Sequence, residues 1–218
     1  MFRAMVWKEL REVRGIALLA LLAQVYLIVA ATHSGLFPFM RNILVPFAFD
    51  QFLMLVLWIC VPAAIALGYR QTLGESIYGT YPFLFHRSAG RAWLIGTKLL
   101  VGATVYLACN MVSIVGYGLW AATPGTHAGP FEWSMTVPCW VAWFSMLILY
   151  LGAFLSGLRP GRWFGTRTLP LVGAGLITFV AVAIAIIYHP LLGLSMVLVA
   201  IIWMIDAILS VARAQDFS

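Results

Sequence analysis

Apolar residues fill six long runs of this chain, and polar residues collect in the short stretches between them. A helix crossing a hydrocarbon core about 30 Å thick needs about 20 apolar residues. Runs of that size are predicted to form spans at about 15–31, 46–68, 93–120, 134–156, 168–188 and 191–211. They are continuous rather than alternating, which excludes the two-residue period of a membrane β-barrel. The predicted fold is therefore an all-α integral membrane protein with six transmembrane helices. Pro62 is expected to kink the second span.

Before the first run the pattern changes. In residues 1–14, Phe2, Met5, Val6, Leu10 and Val13 recur at helical spacing, while Arg3, Arg11, Glu12 and Arg14 fall elsewhere on the wheel. This predicts an amino-terminal amphipathic helix lying in the membrane interface, with Trp7 as an anchor. A signal peptide is the competing reading. The long, patterned charged region with two acids, and an apolar run longer than a typical signal core, argue against it.

Composition sharpens the class. Hydrophobic residues make up 63% of the 218 and charged residues 9%, against about a quarter charged in soluble domains. The net charge of +6 is not gathered on a soluble, aromatic-interleaved surface, so no nucleic-acid partner is expected. Instead, 12 of the 13 Lys and Arg residues fall on one side of the predicted topology: before the first span, between the second and third, between the fourth and fifth, and after the sixth. Only Arg41 falls on the other side. Cytoplasmic loops carry the excess of Lys and Arg, so both termini are predicted to be cytoplasmic. The same charges would attract the lipid bilayer's anionic headgroups. Cys60, Cys109 and Cys139 fall inside predicted spans without a Cys-x-x-Cys pair, which predicts free thiols.

The longest polar interruption is residues 75–98, ESIYGTYPFLFHRSAGRAWLIGTK. In it follow an acid (Glu75), a Gly-Thr pair (Gly79, Thr80), an apolar run (Phe83, Leu84, Phe85), a basic cluster (His86, Arg87, Arg91) and Lys98. That order resembles the loop between the second and third spans of the type-2 exporter permeases of the ATP-binding-cassette (ABC) transporters. Ser88 stands where that family usually has Pro, and the turn between the fifth and sixth spans is shorter than in many members. The resemblance implies a permease subunit, acting with a second permease copy or a paralogue, in the plasma (inner) membrane. It also implies cytoplasmic P-loop ATPase subunits that dock on the loop at 69–92 through Glu75, Gly79, Thr80, Phe83, Leu84, Arg87, Arg91 and Lys98. ATP and magnesium would then be bound by the partner, with no cofactor in this chain. The resemblance implies no particular substrate.

The residues themselves agree that ATP chemistry is not expected here. No Gly-x-x-x-x-Gly-Lys-Ser/Thr occurs, and neither a hydrolase nucleophile motif nor His-Glu-x-x-His is present. The chain is thus not expected to be an enzyme, and an integral membrane enzyme is the weaker rival to an ATP-independent carrier or a membrane scaffold. His33, His127 and His189 share the outer side but lack ligand spacing, so no metal site is predicted. In the third span Tyr106, Asn110, Ser113 and Tyr117 share one helical face. Two readings fit this face: a pathway wall or dimer face, and interhelical hydrogen bonding within one chain. Asp206, late in the sixth span, can reach the cytoplasmic interface and pair with a nearby Arg.

Overall fold

The structure is a computed structural model that describes residues 2–33, 45–47, 50–77, 90–127, 129–159 and 166–214. Of Asp50 and residues 75–77 it describes the backbone alone. Seven α-helices and one 3₁₀ turn follow in order: α1 Phe2–Thr32, α2 Asp50–Ile77, α3 Arg91–Asn110, α4 Val112–Ala122, the 3₁₀ turn Trp133–Thr136, α5 Val137–Leu158, α6 Leu169–Ile187 and α7 Pro190–Ala214. Among the described residues there is no strand, and α3 with α4 forms one span, giving six helices long and apolar enough to cross a membrane. The protein is an all-α, multi-pass membrane protein.

Two boundaries differ from those expected. No break separates an interfacial helix from the first span: α1 is continuous from Phe2 through Thr32, and Glu9 and Val13 are buried inside the bundle. The second helix is described from Asp50, with Pro46 and Phe47 in a turn rather than in the span, and it extends to Ile77 without interruption at Pro62. Phe47 takes a left-handed backbone with φ of 60°. That conformation costs an L-residue roughly 1–2 kcal/mol, offset here by ring contacts to Phe52 at 5.0 Å and Tyr117 at 4.9 Å.

The third span runs through Met111 with its helical bonds kept: the Met111 amide donates to the Leu107 carbonyl at 3.2 Å and the Val115 amide to the Met111 carbonyl at 3.1 Å. Just before it, Asn110 Nδ2 donates to the Tyr106 carbonyl at 2.9 Å, a local side-chain bond of the kind short polar residues make in helices.

α5 is the centre of the bundle. Its membrane-crossing window is 89% buried, against 22% for α1 and for α6, and it packs on α2, α3, α6 and α7. Small residues let it approach its neighbours closely. At Gly68 on α2, a Cβ would lie 2.5 Å from the Tyr150 carbonyl oxygen of α5, so only glycine permits this backbone contact. In lipid such close packing, rather than a hydrophobic drive, holds helices together. At the far end of α5, Arg167 folds back to donate from Nε to the Ser156 carbonyl and from Nη2 to the Gly157 carbonyl, each at 3.2 Å. These are helix-end carbonyls that otherwise have no intrahelical donor.

Replacing Gly68 by Val should separate α2 from α5 and lower stability by about 1–3 kcal/mol, the usual cost of overpacking. Thermal unfolding of the purified protein in detergent measures this, and an unchanged midpoint would contradict the contact.

Candidate functional site

The residues expected to couple the chain to a partner are divided by the structure. Gly79, Thr80, Phe83, Leu84 and Arg87 lie outside the described residues, as does the side chain of Glu75, whose backbone is in the last turn of α2. Arg91 opens α3 and is half-buried. Lys98, two turns into α3, is inside the bundle with 1% of its surface exposed. It is therefore not a surface contact residue: it anchors the stem of the loop.

Its surroundings are built from four helices. Lys98 Nζ lies 2.8 Å from Glu9 Oε1 of α1, and Glu9 is fully buried. Nζ also points to the Gln71 carbonyl of α2 at 3.4 Å, while Gln71 Nε2 donates back to the Lys98 carbonyl at 2.8 Å. From α5, the Tyr150 hydroxyl lies 2.7 Å from Gln71 Oε1 and 3.1 Å from the Leu99 carbonyl. Gly102, one turn past Lys98, makes room for this: a Cβ there would collide with the Gln71 amide and the Tyr150 hydroxyl. Lys8 stands at the rim, 3.4 Å from Glu12 and 3.9 Å from Glu9.

Physics explains why these groups converge. A buried charge is tolerated only when paired and hydrogen-bonded. Removing one partner of such a pair costs roughly 3–5 kcal/mol, because the other charge is left uncompensated. The reciprocal bonds between Gln71 and Lys98 fix the end of α2 to the start of α3. The stem on both sides of residues 78–89 is thereby one mechanical unit, tied to α1 through Glu9 and to α5 through Tyr150.

Two residues of the third span's polar stripe find hydrogen-bond partners on other helices of the same chain. Tyr106, Asn110, Ser113 and Tyr117 are all buried, and Ser113 Oγ has no hydrogen-bond partner among the described residues. Tyr106 donates to the Trp143 carbonyl of α5 at 3.0 Å. Asn110 Oδ1 accepts from Gln24 Nε2 of α1 at 2.9 Å, and the Cys60 thiol of α2 lies 3.8 Å from the same oxygen. Tyr117 stacks on Phe52 at 4.6 Å and Trp120 at 5.4 Å. The face expected to line a pathway or meet a second copy is thus turned inward, toward α1, α2 and α5. For Tyr106 and Asn110 these contacts are interhelical hydrogen bonds within one chain.

The remaining candidates are local. His127 Nε2 lies 2.7 Å from the Ala121 carbonyl, His33 Nδ1 3.1 Å from Thr32 Oγ1, and His189 Nδ1 accepts from the Leu191 amide at 3.2 Å. Each serves its own helix end, and among the described residues no group of three or more His, Cys, Asp or Glu converges on a metal position. The three cysteines are free, with Cys60 and Cys139 buried. Asp206 is on the exposed face of α7, seven residues before the equally exposed Arg213.

Glu9, Gln71, Tyr150 and Gln24 are the site residues that the apolar pattern hides. A signal does exist for two of them. Glu9, Val13, Ala20, Gln24, Leu27 and Ala30, the buried residues of α1, recur at spacings of three, four and seven, the period of a helix-packing seam. No family model, curated protein or solved structure matches this chain.

Replacing Asn110 by Leu should strand the Gln24 amide and lower stability by about 1–3 kcal/mol, with no change in oligomeric state. The double variant Gln24→Leu/Asn110→Leu should recover most of that loss. Unfolding midpoints and size-exclusion profiles in detergent test both, and a changed oligomer with an unchanged midpoint would return the stripe to an intermolecular role.

Proposed function

We propose that this chain is the permease subunit of an ATP-driven exporter of the ABC type-2 class, coupled to separate P-loop ATPase subunits through the loop that α2 and α3 flank. The observation that carries this reading is the order of residues in 75–98: acid, Gly-Thr, apolar run, basic cluster, Lys. The stem geometry supports it. A coupling element must pass a push to the spans without dissipating it. The Gln71–Lys98 bonds join the two helix ends on which such a push would act. Tyr150 and Glu9 extend the connection to the central helix and to α1.

In this reading the loop and both termini face the cytoplasm of a plasma (inner) membrane, following the 12-to-1 division of Lys and Arg. Phe83, Leu84 and Phe85 dock in a groove on the ATPase, with Glu75, Arg87 and Arg91 at the rim, where charges orient more than they strengthen. ATP and magnesium belong to that partner. The interior of one chain is filled by α5, so the pathway is formed with a second copy or a paralogue.

Two experiments test the proposal. Tagged protein isolated from native membranes in mild detergent should bring down a P-loop ATPase. Phe83→Ala should cut its recovery with insertion intact, by about 2 kcal/mol or roughly 30-fold in affinity if Phe83 is a central anchor. Transport that persists in ATP-free vesicles under an ion gradient, with no ATPase recovered, would instead identify a carrier. For the topology, single cysteines at Ser88 and Pro124 in a thiol-free background should label only from inside and only from outside. Labelling of Ser88 from outside would reverse the assignment.

A further inference from the structure

Apolar side chains cover most of the outward face of α7, and acyl chains suffice to meet them. Asp206 is different. It is exposed, and among the described residues it has neither an ion pair nor a hydrogen bond. Its depth sets it apart from a solvated surface carboxylate. α7 starts at Pro190, just after the turn that joins it to α6, so at 1.5 Å per residue Asp206 lies about 24 Å along it. That is about 6 Å short of the far side of a hydrocarbon core about 30 Å thick. Acyl chains offer a carboxylate there neither a donor nor a cation, and an acid at such a depth marks a contact with a partner group.

The cation of matching depth is Arg14. Counted from Thr32, the end of α1 on the same side of the membrane as Pro190, it lies about 27 Å along the helix. Arg14 is likewise exposed and unpaired among the described residues. The two do not meet within one copy, because α1 and α7 each pack on α3 and touch each other little. α3 turns Lys98 and Tyr106 inward and leaves Leu100, Thr104 and Ala108 exposed, and small residues there let another helix approach closely. When α1 and α7 are registered on Arg14 and Asp206, other exposed side chains also match in depth. Leu18 is level with Ile202 and Leu22 with Leu198. Trp7 is level with Arg213, a cation beside the aromatic face that attracts one best.

We propose that the face formed by α1, α3 and α7 seats a second copy of this chain about a two-fold axis along the membrane normal, with Arg14 of each copy paired to Asp206 of the other. The interface is self-complementary, so one pair of residues is used twice. Each charge finds in the other copy the counterpart that its own chain does not bring to it. The second copy is the one that the exporter reading calls for, on which this assignment of its face rests; the ATPase subunits play no part in it.

Reciprocal charge reversal tests the pairing. Two differently tagged copies are coexpressed and recovered together from native membranes in mild detergent. Recovery of Asp206→Arg with itself, and of Arg14→Asp with itself, should fall about fivefold or more below the parent, since each sets like charges against one another. Coexpression of an Asp206→Arg copy with an Arg14→Asp copy should restore the parent's recovery, because both cross-pairs regain opposite charges. Solvation by lipid or water gives no such rescue. A mixed pair recovered no better than either variant with itself would overturn the proposal while leaving the second copy of the exporter reading in place. A parent never recovered with itself would overturn both. Should a reversal fail to insert, cysteines report the same face in a background where Cys60, Cys109 and Cys139 are Ala. Leu22→Cys on one copy should cross-link under mild oxidation to Leu198→Cys on the other, and not to Phe179→Cys on the exposed face of α6. Cross-linking to Phe179→Cys instead, or to neither, would overturn the arrangement.

Discussion

A charge taken into a helix bundle in lipid must be met there by its opposite, and the Glu9–Lys98 pair imposes that condition on four helices at once. Glu9 can be buried only if α1 lies against α3, and Lys98 only if its backbone and side chain are also satisfied. Gln71 does both, donating to the Lys98 carbonyl and accepting Nζ with its own. Its remaining oxygen faces the Tyr150 hydroxyl of the central helix. The glycine at position 102 follows from this crowding, because any side chain there would occupy the space that the Gln71 amide and Tyr150 use.

Deeper in the same bundle a neutral version of the condition recurs. Gln24, Cys60 and Asn110 meet across α1, α2 and the end of α3. Two polar layers at different depths, both involving α1, set its register against the third span: residue 9 opposite 98 and residue 24 opposite 110. Neutral interhelical bonds contribute modestly in lipid, about 0.6–2 kcal/mol each. Their greater effect is on specificity, since sliding α1 by one turn would strand both layers at once.

The same interactions link packing to the proposed function. Near the end of α2 and the start of α3, the two helices are cross-bonded rather than merely adjacent. Tyr150 joins them to the central helix, which contacts α2, α3, α6 and α7. Past Met111, α4 is held by the aromatic group of Phe47, Phe52, Tyr117 and Trp120.

Much of the architecture was legible in the pattern of apolar runs. The fourth, fifth and sixth spans, expected at about 134–156, 168–188 and 191–211, are found at Trp133–Leu158, Leu169–Ile187 and Pro190–Ala214. Hydrophobic length is a local property, and span number and placement follow from it. Less legible was where polar side chains go. The periodicity of residues 2–13 marks an apolar face that fits a membrane surface, yet in the structure Glu9 and Val13, one turn apart on that face, enter the bundle. Tyr106, Asn110, Ser113 and Tyr117 are all buried, but which neighbour their face meets is not written in the helix that carries it. Lys98 shows the division most plainly. The sequence by itself determined an all-α membrane protein of six spans with its charge gathered between particular spans. Only the tertiary structure decided that Lys98 belongs to the bundle and Glu9 is its partner, because pairing a buried charge depends on which helices touch, and residues 89 positions apart carry no local sign of each other.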